Sequence, residues 1–193
     1  MGKANQFYNI LSDKNVQFNA KFIPSPKDES ITLMGQAGIQ VGSDRLFYTV
    51  KGTPPTLNGV AMTVGQRATL GTTGFANWDG SQLQINTGEY NILLSTGEDM
   101  GIISNVSLGD IDPFADGVKP HGLLGQTADG LTGAKDTGND QGQQGSTVID
   151  GTVDDYQVAN LWGTTTQFNR FVLPTPLPAV IPNPVPIQQP PLI

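Results

Sequence analysis

The sequence contains no cysteine and a single histidine, His121. Without cysteine the chain has neither a disulfide framework nor a cysteine nucleophile, which fits a reducing cytoplasm or a protein that works outside the cell without disulfides. Any Ser-His-Asp triad would have to use His121, and no Gly-x-Ser-x-Gly elbow accompanies it. The three glutamates, Glu29, Glu89 and Glu98, lie in or beside turns, unlike the facing carboxylates of a glycosidase. The sequence therefore favours a non-enzymatic protein, with a hydrolase acting through His121 as a distant alternative.

Charge is also scarce, since only 14% of the residues are charged and the formal net charge is -7. The ten basic residues are scattered singly, which argues against a nucleic-acid partner. No apolar run approaches the roughly 20 residues that span a bilayer, so we expect no membrane partner. The first residues lack the apolar core of a signal peptide. We expect a protein made and used without export, unless a leader is missing from this sequence.

The abundant residues indicate short strands joined by turns, because the chain has 24 glycines and 14 prolines. Alternating apolar runs predict one hairpin over residues 7–11 and 16–22 and a second over residues 31–41 and 45–51. Further strands are expected at residues 60–64, 66–70, 75–78, 82–86, 90–95 and 101–108, separated by turn signals such as Asn58-Gly59. Only residues 154–161 could form a turn of helix. The pattern predicts an all-β fold, a sandwich or open barrel of short antiparallel strands.

Two motifs in the second half carry a family resemblance. Residues 121–126 read His-Gly-Leu-Leu-Gly-Gln, and residues 148–161 read Val-Ile-Asp-Gly-Thr-Val-Asp-Asp-Tyr-Gln-Val-Ala-Asn-Leu. Both resemble the C-terminal region of inter-alpha-trypsin inhibitor heavy chains, and residues 7–22 are similar to the start of plant root-cap and late-embryogenesis relatives. All are distant cousins of the von Willebrand factor type D domain, although type D domains carry many disulfides. The resemblance implies a β-rich, type D-like interaction module within residues 1–171, with structural motif residues His121, Gly122, Gly125, Gln126, Asp150, Gly151, Asp155 and Tyr156.

Residues 128–151 form a polar, glycine-rich stretch with almost no apolar content before Val148. Four oxygen-bearing side chains cluster in it: Asp129, Asp136, Asn139 and Asp140. Calcium prefers oxygen ligands and tolerates loop geometry, and the type D relatives place a calcium loop at the corresponding point. We therefore expect either a calcium site, and calcium as a cofactor, or simply solvated acidic side chains.

Residues 172–193, here called the strap, alternate proline with aliphatic side chains. Proline fixes φ and cannot donate to a β-ladder, so we expect an extended polyproline II tail. Its expected partner-binding residues are Leu173, Pro174, Leu177, Pro178, Val180, Ile181, Val185, Ile187, Leu192 and Ile193. Such a segment has apolar side chains to bury and no means of folding on itself. We expect the strap to bind a neighbouring subunit, and binding to the chain's own domain is the alternative.

Together these features predict a structural or assembly protein. The first hypothesis is a virion subunit assembled in the host cytoplasm, such as a bacteriophage capsid-decoration, tail or fibre-associated protein. In it the strap binds neighbouring subunits of a homo- or hetero-oligomer. The alternative is an extracellular adhesion or matrix module that binds glycans or proteins through residues 128–151.

Overall fold

The computed structural model describes residues 2–50, 53–97, 100–117, 120–125 and 152–164. The strands are β1 (Phe7–Asp13), β2 (Val16–Pro24), β3 (Thr32–Val41), β4 (Asp44–Thr49), β5 (Thr56–Leu57), β6 (Val60–Ala61), β7 (Arg67–Leu70), β8 (Gly74–Trp78), β9 (Gln82–Asn86), β10 (Tyr90–Thr96), β11 (Ile102–Leu108) and β12 (Gln157–Val158). A short 3₁₀ helix, Val153–Tyr156, precedes β12. The all-β prediction is confirmed.

The strands form two open antiparallel sheets. In the seven-stranded sheet the order is β12-β1-β2-β3-β4-β5-β6, and in the five-stranded sheet it is β11-β10-β9-β8-β7. Each sheet is a meander in which neighbours in the chain pair, except that β12 returns to pair with β1 through Phe7 and Val158. Neither sheet closes on itself, so the barrel alternative is wrong and the open arrangement of two sheets is what the chain adopts.

One hydrophobic core joins the two sheets. On β2 the side chains of Val16, Phe18 and Ala20 point into it with the period of two predicted from the sequence. On the five-stranded sheet the buried residues alternate in the same way along β9 and β10. The Tyr48 and Trp78 rings meet across the sheets with centroids 5.9 Å apart. Each large side chain buried here stabilises the fold by about 2–3 kcal/mol.

The predicted hairpins agree with the observed strands to within about two residues. The turn at Asn58-Gly59 has positive φ at both positions, 52° and 82°, as a two-residue type I′ hairpin requires. Three details were wrong. The strand expected at residues 60–64 ends at Ala61, and the two-residue strands β5 and β12 were not predicted. Pairs this short carry no periodic signal, because a period needs several residues to repeat.

Candidate functional site

The residues of the first resembling motif lie against β1. His121 is 1% exposed, and its backbone forms an isolated bridge with Ser12: Ser12 N donates to His121 O at 2.6 Å and His121 N donates to Ser12 O at 2.7 Å. Leu123 N and Leu124 N donate to the carbonyl oxygens of Asn9 and Ile10. The motif thus adds a short stretch of backbone pairing beside β1.

The glycine at position 122 is required by this close approach. Its φ is +98°, and a Cβ there would lie 2.7 Å from both Asn9 Oδ1 and the Ile10 carbonyl. Any other residue would be both strained in its backbone and in contact with β1 at less than van der Waals distance. Gly125 is also close to its neighbours, with a would-be Cβ 3.0 Å from the Pro120 carbonyl carbon.

The second resembling motif reaches the same sheet. Tyr156 is fully buried in the core, and Asp155 closes a capping box with Thr152, accepting from Thr152 N at 2.8 Å. Both motifs therefore lie along β1 but at different places. Residues 121–125 pair with residues 9–12, whereas the helix that holds Asp155 and Tyr156 leads into β12, which pairs with Phe7 and Tyr8. The remaining predicted motif residues, Gln126, Asp150 and Gly151, lie outside the described residues.

A network of buried polar side chains holds the chain that follows β12. Asn19 Nδ2 donates to the carbonyl oxygens of Leu161 at 3.1 Å and Gly163 at 2.9 Å. Asn19 Oδ1 in turn accepts from Asn9 Nδ2 at 2.9 Å. Gln17 Nε2 also donates to Gly163 O. This amide network (Asn9, Gln17 and Asn19) fixes residues 161–163 on the face of the seven-stranded sheet that points away from the core.

Gly38 and Arg45 also contact residues 161–163 on this face of the sheet. A Cβ on Gly38 would lie 2.8 Å from Leu161 Cβ, so β3 and residue 161 approach closely. The Arg45 guanidinium lies over the Trp162 ring, 5.1 Å from its centroid. The chain therefore reaches Thr164 on the outer side of the sheet.

A cluster of acidic side chains lies around Asp13, at the end of β1 that is farther from β12. Asp13 is fully buried, and its carboxylate accepts hydrogen bonds from the Tyr90 hydroxyl and from Lys14 N. Burial raises the pKa of Asp13, and the Tyr90 hydrogen bond opposes that rise. Burial, with the nearby charges of Asp13 and Asp116, raises the pKa of Glu89 to about 7. Lys14 lies 3.5 Å from Asp116 and offsets part of this repulsion.

An open cleft lies where the ends of the two sheets meet. It has a volume of about 580 Å³ and is lined by Tyr48, Thr53, Pro54, Val64, Trp78, Gly80, Ser81, Thr96, Gly97 and Met100. We call it the aromatic cleft. None of these described lining residues carries a charge, and the Tyr48 hydroxyl lies 3.3 Å from Thr96 Oγ1. An apolar ligand with a few hydrogen-bonding groups would match it.

Sequence reasoning did not find the aromatic cleft. Its described lining comes from five separate parts of the chain, most of them in turns: residue 48, residues 53–54, residue 64, residues 78 and 80–81, and residues 96–97 and 100. Two of its side chains, Val64 and Met100, are apolar yet 70% and 43% exposed. Exposed apolar residues in turn positions were the available signal, because turns otherwise favour polar residues.

The outer face of the five-stranded sheet is rich in amide and hydroxyl side chains. Cross-strand pairs place Ser107 beside Asn91, Asn91 beside Asn86, and Asn86 beside Phe75. The neighbouring row carries Asn105, Leu93, Gln84 and Asn77. We call this surface the amide face. At one margin the Arg67 guanidinium stacks on the Phe75 ring at 3.6 Å.

The structure does not describe the expected calcium ligands or the strap. Asp129, Asp136, Asn139 and Asp140 lie outside the described residues, as do all ten expected partner-binding residues of the strap. Among the residues that the structure describes, no group of three or more His, Asp or Glu side chains could hold a metal ion. Within the same ranges no helix has the length and apolar character to cross a membrane.

Comparisons with known proteins did not extend the resemblance, because no protein-family model matches this chain and no curated protein matches it significantly.

Proposed function

We propose that this chain is a non-enzymatic assembly protein whose strap binds neighbouring subunits. One observation carries the proposal: the hydrophobic core is built from residues between Tyr8 and Tyr156 in the described part of the chain. The part of the chain that the structure describes thus buries a hydrophobic core of its own. The strap carries nine valine, leucine and isoleucine side chains, and we propose that a neighbouring subunit buries them.

A virion subunit is the setting we propose, such as a bacteriophage capsid-decoration, tail or fibre-associated protein assembled in the host cytoplasm. Repeated subunits in a particle place the same acceptor surface beside every strap. A pre-extended segment loses little conformational entropy when it docks, so a short apolar strap can hold a neighbour firmly. The absence of cysteine and the type D-like resemblance are compatible with a module that acts by contact. We likewise propose that no catalytic step is involved, since the one histidine is buried against β1.

The proposal is tested by measuring the mass of the protein in solution over a range of concentrations. Light scattering should show association for the full chain, and removal of residues 174–193 should abolish it without changing the far-UV circular dichroism of the body. A chain of equal length, in which a glycine-serine sequence replaces the strap, controls for the loss of mass. Association that survives both changes would contradict the strap's role.

A second candidate is an extracellular adhesion or matrix module, and the amide face favours it. Amides and hydroxyls next to an aromatic ring suit a polyhydroxylated ligand, because they offer donors and acceptors beside an apolar surface. This candidate therefore has a surface in addition to the expected one at residues 128–151. Binding to a glycan array that is lost in Phe75→Ala and Gln84→Ala would favour it over the assembly protein.

A further inference from the structure

We propose that the aromatic cleft of one copy of this protein binds the strap of a neighbouring copy. This inference rests on the assembly function proposed above and names the surface that receives the strap.

The rim of the aromatic cleft exposes apolar side chains. Val64 is 70% exposed and Met100 is 43% exposed, and both line it. Ile103, 58% exposed, lies beside the cleft residue Gly97, since a Cβ on that glycine would be 3.1 Å from Ile103 Cδ1. Exposed apolar side chains grouped around a concave site are typical of a surface that another chain covers.

The strap has matching chemistry. Residues 171–193 contain no charged side chain, although the chain as a whole has a formal net charge of -7. The described residues that line the aromatic cleft are likewise uncharged. Contact between the strap and these residues therefore removes no charge from water. Proline-rich segments in the polyproline II conformation bind apolar grooves, where their backbone carbonyls accept hydrogen bonds. In this cleft the Tyr48 and Trp78 rings are only 3% and 7% exposed, so Val64 and Met100 offer most of the exposed apolar surface.

Tyr48, Thr96 and Ser81 place hydroxyl groups in the aromatic cleft. A polyproline II backbone leaves its carbonyl oxygens unpaired, and proline supplies no N–H donor. The Ser81 hydroxyl itself donates to Asp79 Oδ1. Tyr48 and Thr96 share one hydrogen bond between their hydroxyls, which leaves one hydroxyl proton of that pair for a carbonyl oxygen of such a ligand.

The described chain ends on the side of the sheet away from the cleft. Gln17 and Asn19 hold Gly163 on the outer face of the seven-stranded sheet, whereas Tyr48 points into the core between the sheets. About 29 residues follow Thr164, which could span roughly 90 Å when extended. A body of this size has a radius of gyration of about 15 Å. The strap thus leaves from the far side and is long enough to pass well beyond its own body.

Photo-cross-linking in the full-length protein tests the proposal directly. A photoreactive amino acid replaces Ile181, and protein labelled with ¹⁵N is mixed with unlabelled protein before irradiation. Mass spectrometry then identifies which residues are joined and whether one or two copies contributed the peptides. The expected result is mixed-label cross-links from residue 181 to peptides containing Val64, Trp78 or Met100.

A matched pair of substitutions provides the control. Val64→Asp puts a charge at the rim of the cleft on a side chain whose exposure makes it tolerable to the fold. It should reduce the mixed-label cross-links about tenfold, because the strap would lose an apolar contact and meet a charge. Ile111→Asp introduces the same charge at a residue that is 44% exposed and packs against Gly88, at the other end of the five-stranded sheet. It should leave the yield unchanged.

Each other outcome has a definite meaning. Cross-links to the cleft within a single copy would overturn docking between neighbours. Mixed-label cross-links to a different surface would overturn the cleft as the receiving site but leave the proposed assembly function standing. An absence of any cross-link between copies, together with a monomer in light scattering, would overturn both. An equal effect of the two aspartate substitutions would also refute the cleft.

Discussion

The Tyr90 hydroxyl of β10 donates a hydrogen bond to the buried carboxylate of Asp13 at the end of β1. This contact links the seven-stranded sheet to the five-stranded sheet through polar groups at one end of a core that is otherwise apolar. Burying a carboxylate without hydrogen-bond donors costs free energy, and the Tyr90 hydroxyl offsets part of that cost for Asp13.

Removing that hydroxyl should destabilise the protein. Of the two donors to Asp13 in the described part of the chain, Tyr90→Phe leaves the one at Lys14 N, and we expect a loss of about 1.5–3 kcal/mol in the free energy of unfolding. Tyr48→Phe is the matched control, because the Tyr48 hydroxyl is hydrogen-bonded to the neutral Thr96 hydroxyl at 3.3 Å. It should cost about 0.5–1 kcal/mol. Urea unfolding of both variants measures the difference, and equal losses would contradict a special role for the Asp13 contact.

Glu89 should make stability fall as pH rises. Its pKa is raised from 4.5 to about 7 by burial and by the charges of Asp13 and Asp116, so the folded protein holds this proton more tightly than the unfolded chain. The contribution of Glu89 to the stability of the folded protein is therefore fully present below about pH 4.5 and is lost as the pH rises through about 7. Because Glu89 is partly exposed, solvent screening reduces the effect to about 1 kcal/mol.

Thermal unfolding between pH 4.5 and 8 tests this dependence. Glu89→Gln should flatten the decline, because the amide has no proton to lose. Glu29→Gln, at an exposed position, is the control and should leave the profile as it is in the parent protein. Asp13, whose pKa is also raised, contributes a decline in the same direction that starts at lower pH. An unchanged slope in Glu89→Gln would show that the charge on Glu89 is not the cause.

The amide network should account for much of the attachment of residues 161–163. In Asn19→Ala the carbonyl oxygens of Leu161 and Gly163 each lose a donor, and we expect a loss of about 3 kcal/mol in the free energy of unfolding. Hydrogen exchange should also become faster in residues 157–163. Asn105→Ala on the exposed amide face should change stability by less than about 0.5 kcal/mol. If the two alanine variants are equally stable, the network contributes nothing measurable.

Alanine substitutions at Gly122 and Gly59 allow the cost of backbone strain to be measured apart from the cost of a steric clash. Both have positive φ, 98° and 82°, but a Cβ on Gly122 would contact β1 at 2.7 Å whereas a Cβ on Gly59 meets nothing within 4 Å. Gly59→Ala should cost about 1 kcal/mol from strain alone. Gly122→Ala should cost more than about 3 kcal/mol, because β1 and residues 121–125 must separate. Chemical denaturation of the pair checks this, and similar losses would show that the contact relaxes freely.

Much of the fold was predictable because its longer strands are strongly periodic. Phe18 and the other apolar residues of β2 alternate with polar residues. Asn58 and Gly59 both adopt positive φ readily, which is what a two-residue type I′ turn requires. The same alternation was misleading about the polar side of β2. Gln17 and Asn19 have the pattern of solvent-facing residues, yet the returning chain covers them, and a period of two cannot show which face a distant segment will occupy.

The candidate sites were less predictable, because they depend on contacts between distant residues. Tyr48 and Trp78 are ordinary core aromatics in the sequence, and only the packing of the two sheets places them at one cleft. Glu89 lies beside a turn that the sequence identifies correctly, but its neighbours Asp13 and Asp116 come from two other parts of the chain. A shifted pKa depends on such neighbours, so no local pattern predicts it.

The hydrogen bonds from Gln17 and Asn19 to the chain at Gly163 also have a mechanical consequence. A pulling force applied to residues beyond Thr164 would be borne first by side chains of β2, which lies inside the seven-stranded sheet and pairs along most of its length with β1 and β3. The two residues of β12 at the margin of that sheet would be shielded from the load. Tension on this chain would therefore be spread over several strands at once, and peeling from the edge would not be the first event of rupture.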